Sequence, residues 1–218
     1  LMVDSGAVLF TDDGSPVKSS SVMRTALLYT RDLGVRIMEH PQEPDLTRDG
    51  EVNEGRCSAL SGLKGFPHSG ETLGVSRAIE LSRETGVPVH LTHISLRRAL
   101  DMIKKAKEEG VQVTCDVTPH HLVLSEEDVL DSHFNAAFKV NPPLRSLDDV
   151  QAMWEGIADG TVDAIGTDHA PYRIEEKDVP FQDAQFGIAS YECAVAAVLD
   201  RWQQNRCGVS LAQLLAKW

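Results

Sequence analysis

Short apolar runs alternate with amphipathic stretches along most of the chain. The short runs predict buried strands, because turn-forming residues bound each of them. Strands are predicted at 6–11, 35–39, 87–91, 111–117 and 162–166, with a brief strand at 138–140. Apolar positions that recur every three or four residues predict helices at 19–33, 70–84, 96–106, 146–158 and 191–203. Residues 42–55 are polar and contain Pro and Gly, so we expect a long surface loop there.

Strands and helices that alternate at short intervals are typical of βα units, so the predicted fold class is α/β with a parallel sheet. About five strand–helix steps are recognisable, whereas a closed (β/α)8 barrel has eight in roughly 250 residues. The 218 residues therefore predict a single domain, residues 1–218, that forms the middle to late part of a TIM barrel. Both ends fall close to or inside predicted elements, so we expect the chain to be truncated at each end.

Charged or imidazole side chains follow four of the predicted strands: Asp13, His40, His93 and Asp168. Because the catalytic groups of a parallel barrel lie at the carboxyl ends of its strands, we expect these side chains at one rim. Two carboxylates and two imidazoles are ligands typical of hydrolytic zinc sites. Taken singly, Asp13 also suits a turn and Asp168 a helix N-cap. His40 alone suits a core histidine, and His93 a residue at a helix start.

Other histidines compete for the same role. His90 lies within a predicted strand and His120 follows Thr118-Pro119, so we predict core or ligand-supporting positions for both. His68 and His133 lie in predicted loops, where we expect them to be solvated.

Composition narrows the function classes. With 21 basic and 33 acidic residues the net charge is -12, which disfavours binding to nucleic acid or to an anionic membrane. No apolar run approaches the roughly 18 residues of a membrane helix, and no signal-peptide pattern is present. The four cysteines, Cys57, Cys115, Cys193 and Cys207, have no C-x-x-C spacing, so reduced thiols and a cytoplasmic enzyme are expected.

Several blocks of the sequence together resemble the bacterial dihydroorotases of the amidohydrolase superfamily. The blocks follow the family's order over nearly the whole chain: Phe10-Thr11-Asp12-Asp13-Gly14-Ser15-Pro16-Val17, Thr92-His93-Ile94-Ser95, Val117-Thr118-Pro119-His120-His121-Leu122, Lys139-Val140-Asn141-Pro142-Pro143-Leu144-Arg145 and Gly166-Thr167-Asp168-His169-Ala170-Pro171. The resemblance implies a hydrolase with two Zn²⁺ ions that interconverts dihydroorotate and N-carbamoyl-L-aspartate.

The resemblance also implies a role for individual residues. Asp13 matches the aspartate that bridges the two metals, and His40 and His93 match the histidines of the second metal. Asp168 matches the aspartate that binds the first metal and carries the proton. The positions that match the family's substrate contacts are Asn141, Tyr172, Phe186 and Gly187.

The sequence departs from the family pattern at several positions, which include Gln185 where Pro is common and Ser190 where Gly is common. No two of the eight histidines are two residues apart, so the His-x-His pair that holds the family's first metal is not present. The family usually has His at the position of Tyr172, and a tyrosine donates a hydrogen bond but carries no positive charge.

Two alternatives to the dihydroorotase interpretation remain open. One is a hydantoinase or allantoinase, which generally has a carbamylated lysine as the bridge, so Asp13 and Asn141 favour dihydroorotase. The other is a non-catalytic dihydroorotase-like subunit that scaffolds aspartate transcarbamoylase. The implied partners are a small-molecule substrate and either a second copy of the chain or that transcarbamoylase.

Overall fold

The structure is a computed structural model that describes residues 2–205 and 208–218. Its strands are β1 (Leu9–Thr11), β2 (Arg36–Glu39), β3 (Val52–Asn53), β4 (Gly65–Phe66), β5 (Val89–Leu91), β6 (Val113–Val117) and β7 (Ala164–Ile165). Its helices are α1 (Ser20–Arg31), α2 (Pro44–Thr47), α3 (Arg56–Ser61), α4 (His68–Thr85), α5 (Arg97–Glu108), α6 (Pro119–Val123), α7 (Glu126–Asp131), α8 (Leu147–Asp159), α9 (Ile174–Lys177), α10 (Ala194–Asn205) and α11 (Leu211–Leu215). A short 3-10 helix spans Ala136–Phe138.

The main sheet has five parallel strands in the order β1-β2-β5-β6-β7. Helices α1, α4, α5 and α8 precede successive strands of this sheet, as expected of βα units. The five long strands predicted from the apolar runs are therefore confirmed, although each is shorter than its run. The fold is a partial TIM barrel of the α/β class.

The helix boundaries follow local signals. The Ser19 side chain accepts a hydrogen bond from the Val22 amide and caps α1, and Ser146 caps α8 in the same way through the Asp149 amide. Gly86 ends α4 in the left-handed conformation, with φ of 69°. The prediction that α10 begins near Tyr191 was wrong by one turn, because the Ala194 amide donates to Ser190 O and residues 191–193 form a turn.

The predicted strand at 138–140 is wrong. The Lys139 amide donates to Ala136 O and closes the 3-10 turn, and the Lys139 carbonyl accepts from the Gly187 amide instead of a neighbouring strand. Pro142 and Pro143 follow, and neither has an N–H group to extend a ladder.

The predicted loop at 42–55 contains regular structure. Glu43 caps the short helix α2, and Pro44 occupies its first turn, where the missing N–H costs nothing. Strand β3 then pairs in parallel with β4, so that Val52 lies opposite Gly65 and Asn53 lies opposite Phe66. The polar composition of the segment conceals both elements, because β3 is only two residues long and its partner strand lies outside the segment.

The main hydrophobic core lies between the sheet and its helices. Met23 of α1, Val75 of α4, Ile103 of α5, Ile157 of α8 and Leu91 of β5 are all almost fully buried in it. Burial of apolar surface of this kind is the dominant stabilising contribution to the fold. A smaller cluster around Val52, Val140 and Phe181 packs beneath the segments that follow β3 and the 3-10 helix.

The described cysteines are free thiols, as predicted. Burial raises the pKa of Cys57 to about 11 and that of Cys115 to about 12, so neither thiol ionises at neutral pH. Cys193 is exposed, and the expectation for Cys207 lies outside the described residues. Among the residues described, no helix is both long and apolar enough to span a membrane.

Helix α4 contacts the chain after β2 at a glycine. A Cβ atom at Gly74 would lie 2.4 Å from Pro41 C and 2.6 Å from Gln42 N, both backbone atoms. The Glu43 amide also donates to Gly70 O one turn earlier in α4, at 2.7 Å. The backbone of residues 41–43 is therefore held directly on the helix.

We predict that Gly74→Ala destabilises the protein by ~1–3 kcal/mol, because the added methyl group overlaps backbone that cannot move independently of the sheet. Urea unfolding measures the change. The matched control is Ser69→Ala at an exposed position of the same helix, expected to change the stability by less than about 0.5 kcal/mol. Equal stability of Gly74→Ala and wild type would show that this contact is not tight in solution.

Candidate active site and metal centre

The carboxyl ends of the strands open onto one pocket of about 510 Å³. All eight residues named from the sequence line it: Asp13, His40, His93, Asn141, Asp168, Tyr172, Phe186 and Gly187. They come from segments up to about 170 residues apart in the chain, and parallel strand pairing brings these segments to one rim. Their predicted roles are not decided by this placement alone.

His40 and His93 form the closest pair in the pocket. His40 Nδ1 lies 2.6 Å from His93 Nε2, and the two rings meet edge to face with centroids 4.4 Å apart. Both residues are buried, and burial lowers the pKa of each, that of His93 to about 3. Neutral imidazoles at neutral pH keep a lone pair for a metal ion.

Two polar side chains hold this pair in place. Gln42 Oε1 lies 2.5 Å from His40 Nε2, and Asp116 Oδ1 accepts the His93 backbone amide at 2.8 Å. The second oxygen of Asp116 lies 2.8 Å from His90 Nε2, so His90 supports His93 through Asp116. His90 therefore contacts His93 indirectly, and its ligand-supporting role stays a prediction.

The two aspartates lie on the rim of the pocket. Partial burial raises the pKa of Asp168 above its usual range, and the carboxylates of Asp116 and Asp13 raise it further. A carboxylate with a raised pKa holds a proton more readily, which suits a group that accepts and returns one.

Three of the four predicted metal ligands have strained backbones. Asp13, His93 and Asp168 have φ of 39°, 41° and 44°, in the region that L-residues other than Gly rarely adopt. Strained backbone of this kind clusters at functional sites, where the surrounding structure enforces it. The strain supports a role for these three residues that is independent of sequence resemblance.

Asn141 and Phe186 also line the pocket. Asn141 Nδ2 donates to Gln42 Oε1 at 3.1 Å, while Asn141 Oδ1 is buried and has no hydrogen-bond partner within the described part of the chain. The ammonium group of Lys139 lies 4.7 Å from the centre of the Phe186 ring and donates to the Phe181 and Gln182 carbonyls. Lys139 therefore fixes the loop that presents Phe186.

Gly187 fits beside the Tyr172 ring because it has no side chain. Its amide already donates to Lys139 O at 2.9 Å, and a Cβ atom there would lie 2.7 Å from the Tyr172 ring. Tyr172 itself is 41% exposed at the mouth of the pocket.

A buried ion pair holds the segment that follows His93. Arg145 and Glu71 are each less than 5% exposed, and Arg145 Nη2 lies 3.4 Å from Glu71 Oε2. Glu71 Oε1 also accepts the backbone amides of Ser95 and Leu96, directly after the segment that carries His93. Arg145 donates further to Asn53 Oδ1 at 2.8 Å, so the two charges are well paired.

The remaining histidines differ in their environments. His120 is buried in the core as predicted, and both of its ring nitrogens are without a hydrogen-bond partner among the residues described. His68 and His133 are exposed as predicted, although His68 Nε2 lies 3.1 Å from Asn53 Oδ1.

The donor set fits a zinc ion in part. The facing nitrogens of His40 and His93 are suitable donors, and His93 Nδ1 is a buried polar atom without a partner within residues 2–205 and 208–218. In those same residues no three His, Cys, Asp or Glu side chains are grouped closely enough to hold a metal ion. The aspartates share the pocket with the imidazole pair but do not complete a coordination shell around it.

Sequence reasoning missed Gln42, Asp116 and Lys139. Asp116 had a usable signal, because it alternates with Cys115 and Val117 in a buried strand and so points into the barrel. Gln42 and Lys139 had none, because the contacts of Gln42 with Asn141 and of Lys139 with Phe181 join residues 99 and 42 positions apart.

Comparison with known proteins agrees with this geometry. Residues 1–99 match the family model described as dihydro-orotase-like. The chain is 47% identical to a dihydroorotase of Pelotomaculum thermopropionicum over 197 residues, 90% of this chain and 46% of that protein. It is 43% identical to a dihydroorotase of a Wolbachia strain over 218 residues, 100% of this chain and 48% of that protein. The chain spans about half the length of the curated relatives it matches.

Solved structures share the fold at lower identity. An L-hydantoinase (dihydropyrimidinase) from Arthrobacter aurescens superposes with a TM-score of 0.82 and 23% identity, over 99% of this chain and 50% of that chain. A dihydroorotase from Saccharomyces cerevisiae, in complex with 5-fluoroorotic acid, has a TM-score of 0.70 and 17% identity, over 90% of this chain and 51% of that chain. These likenesses show the fold class, which is a partial TIM barrel. Within that class the chain belongs to the dihydroorotase-like family.

We predict that Asp168→Gly is more stable than Asp168→Ala by ~0.5–1 kcal/mol, because glycine adopts the positive φ without strain. Both variants lack the carboxylate, so the difference in their stability reports the strain of the backbone. The control is Asp101 on helix α5, where Gly is expected to be about 1 kcal/mol less stable than Ala. The stabilities are measured by urea unfolding. If the Ala variant is more stable than the Gly variant at both positions, the backbone at Asp168 is not strained.

Proposed function

We propose that the chain carries part of the active site of a zinc-dependent dihydroorotase, a cyclic amide hydrolase that interconverts (S)-dihydroorotate and N-carbamoyl-L-aspartate in pyrimidine biosynthesis. The observation that supports it best is the single pocket shared by all eight residues that match the family's ligands and substrate contacts. The sequence relatives named dihydroorotase are 41–47% identical, whereas the hydantoinases resemble the chain mainly in fold. This difference favours dihydroorotase over a hydantoinase or allantoinase.

In this proposal His40 Nδ1 and His93 Nε2 would hold one zinc ion, Asp168 would be a ligand of a second, and Asp13 would be a ligand of both. Bound there, a divalent ion would lower the pKa of water and polarise the carbonyl of the substrate. The facing nitrogens of the two rings and the lowered pKa of both imidazoles are consistent with nitrogen ligands.

Asp168 is assigned the proton transfer. Its carboxylate accepts the proton of the attacking water as the oxygen bonds to the ring carbonyl carbon. It then delivers that proton to the ring nitrogen as the C–N bond breaks, because an amide nitrogen is a poor leaving group unless protonated. The reverse reaction uses the same steps in the opposite order. Asn141, Tyr172, Phe186 and Gly187 are assigned to substrate binding.

Assembly and cellular location stay predictions. Homodimer formation, association with aspartate transcarbamoylase, a cytoplasmic location and a single domain over residues 1–218 follow from the resemblance and the composition. The scaffold alternative predicts a folded protein that binds the transcarbamoylase without metal.

We predict that Asp168→Asn lowers kcat for dihydroorotate hydrolysis by ~10²–10⁴-fold, because the amide cannot accept the proton. Turnover is followed with purified protein in both directions, with the exposed Asp183→Asn as the control. Cleavage of hydantoin without cleavage of dihydroorotate would contradict the proposed substrate. Full activity of Asp168→Asn would contradict the assigned proton transfer.

We predict that His93→Ala weakens zinc binding by roughly 100-fold or more, because it removes one of two adjacent nitrogen donors. Competition with a chromophoric chelator measures the affinity directly. His133→Ala, a histidine exposed far from the pocket, is expected to bind zinc as wild type does. Metal-free wild-type protein that binds aspartate transcarbamoylase would favour the scaffold alternative.

A further inference from the structure

Gln42 contacts both His40 and Asn141 through one atom. Its Oε1 lies 2.5 Å from His40 Nε2 and accepts Asn141 Nδ2–H at 3.1 Å. Asn141 is 99 positions further along the chain, so this contact exists only in the folded protein. No other side chain described in the structure hydrogen-bonds to both residues.

The orientation of the Gln42 carboxamide is determined by its other end. Gln42 Nε2 lies 2.6 Å from Thr47 Oγ1, and that hydroxyl donates its own proton to Glu43 O at 3.0 Å. Since the Thr47 proton is already used, the hydroxyl accepts from Gln42, and the nitrogen end of Gln42 must face it. The oxygen end therefore faces His40 and Asn141.

This orientation selects the tautomer of His40. An oxygen atom at 2.5 Å requires that His40 Nε2 carry the proton. His40 Nδ1 is then unprotonated and directs its lone pair towards His93 Nε2, where the proposed ion binds. In the metal-free protein His93 Nε2 donates to His40 Nδ1.

The same orientation determines which atom of Asn141 is left without a partner. Because Asn141 Nδ2 is bound to Gln42, the carboxamide cannot turn over without losing that bond. Asn141 Oδ1 is left as a buried acceptor that has no partner in the described residues, on a side chain that lines the pocket. A buried acceptor without a partner favours a ligand that brings a donor.

The backbone that carries Gln42 is itself fixed. Gly74 of α4 lies against the Pro41 and Gln42 backbone with no room for a Cβ atom, and Gly70 O holds the Glu43 amide. Gln42 therefore has little freedom to rotate away from its three partners.

We propose that Gln42 is a positioning residue with two effects: it holds His40 in the Nε2–H tautomer for metal binding, and it turns Asn141 so that its carbonyl oxygen accepts an N–H group of the substrate. The second effect rests on the proposed function of the pocket. The first effect concerns the protein and the metal alone.

The test compares Gln42→Met, which removes the acceptor, with Gln42→Glu, which keeps it. Nitrogen-15 NMR of the metal-free protein reports the His40 tautomer. We expect Nε2–H in wild type and in Gln42→Glu, whose second oxygen accepts the Thr47 hydroxyl proton, and a loss of this preference in Gln42→Met. Zinc affinity is expected to fall by ~10–100-fold in Gln42→Met and to recover to within about threefold of wild type in Gln42→Glu.

Thr47→Val tests the same orientation of Gln42 if Gln42→Met is poorly folded. Thr47→Val frees the Gln42 amide to turn over and is expected to give a mixture of His40 tautomers. Gln203→Met, at an exposed position of α10, is the matched control and is expected to behave as wild type. An unchanged tautomer in both Gln42→Met and Thr47→Val, or equal loss of zinc affinity in Gln42→Met and Gln42→Glu, would overturn the proposal.

Substrate binding distinguishes a failure of the role of Gln42 from a failure of the dihydroorotase assignment. If wild type turns over dihydroorotate, Gln42→Met is expected to raise KM by about tenfold beyond any effect of metal loss, measured at saturating zinc. If wild type has no turnover but the tautomer and zinc affinity respond as expected, the dihydroorotase assignment fails while the role of Gln42 in holding His40 stands. An unchanged KM at saturating zinc in an active protein would overturn the assignment of Asn141.

Discussion

The parallel pairing of β2, β5 and β6 is the interaction on which the site depends. Glu39 pairs with Leu91 and the ladder continues through the Thr92 amide to Glu39 O, so the residues just beyond both strands lie at the same height. The Ile94 amide donates to Asp116 O in the same way. Because the register of a parallel ladder allows no single-residue slip without turning the side chains over, His40, His93 and Asp116 must meet at one rim.

Stability and function are in conflict at that rim. Left-handed backbone at Asp13, His93 and Asp168 costs free energy, and so do the buried acceptor of Asn141 and the unpartnered nitrogen of His93. The hydrophobic core between the sheet and its helices offsets these costs. Unfavourable local geometry at these residues is physically consistent with a site that gains its missing partners on binding a metal ion and a substrate.

Much of the fold could be predicted from the sequence, because its signals are local. Alternating apolar runs identified the five strands of the main sheet, and serine and glycine residues such as Ser19 and Gly86 marked helix ends. The position of Asp13 and Asp168 directly after apolar runs indicated the rim. Local signals failed at 138–140 and at 42–55, where an apolar or polar composition suggested one structure and distant partners imposed another.

The sequence by itself determined which residue types end the strands, and therefore which chemistry the rim can perform. Only the tertiary structure decided which atoms of those residues are free to act. The proton on His40 and the free oxygen of Asn141 both depend on Gln42, whose orientation depends on Thr47 and on packing against α4. The physical reason is that periodicity and turn preference act between neighbours in the chain, whereas hydrogen-bond direction is set by whichever groups packing brings within about 3 Å.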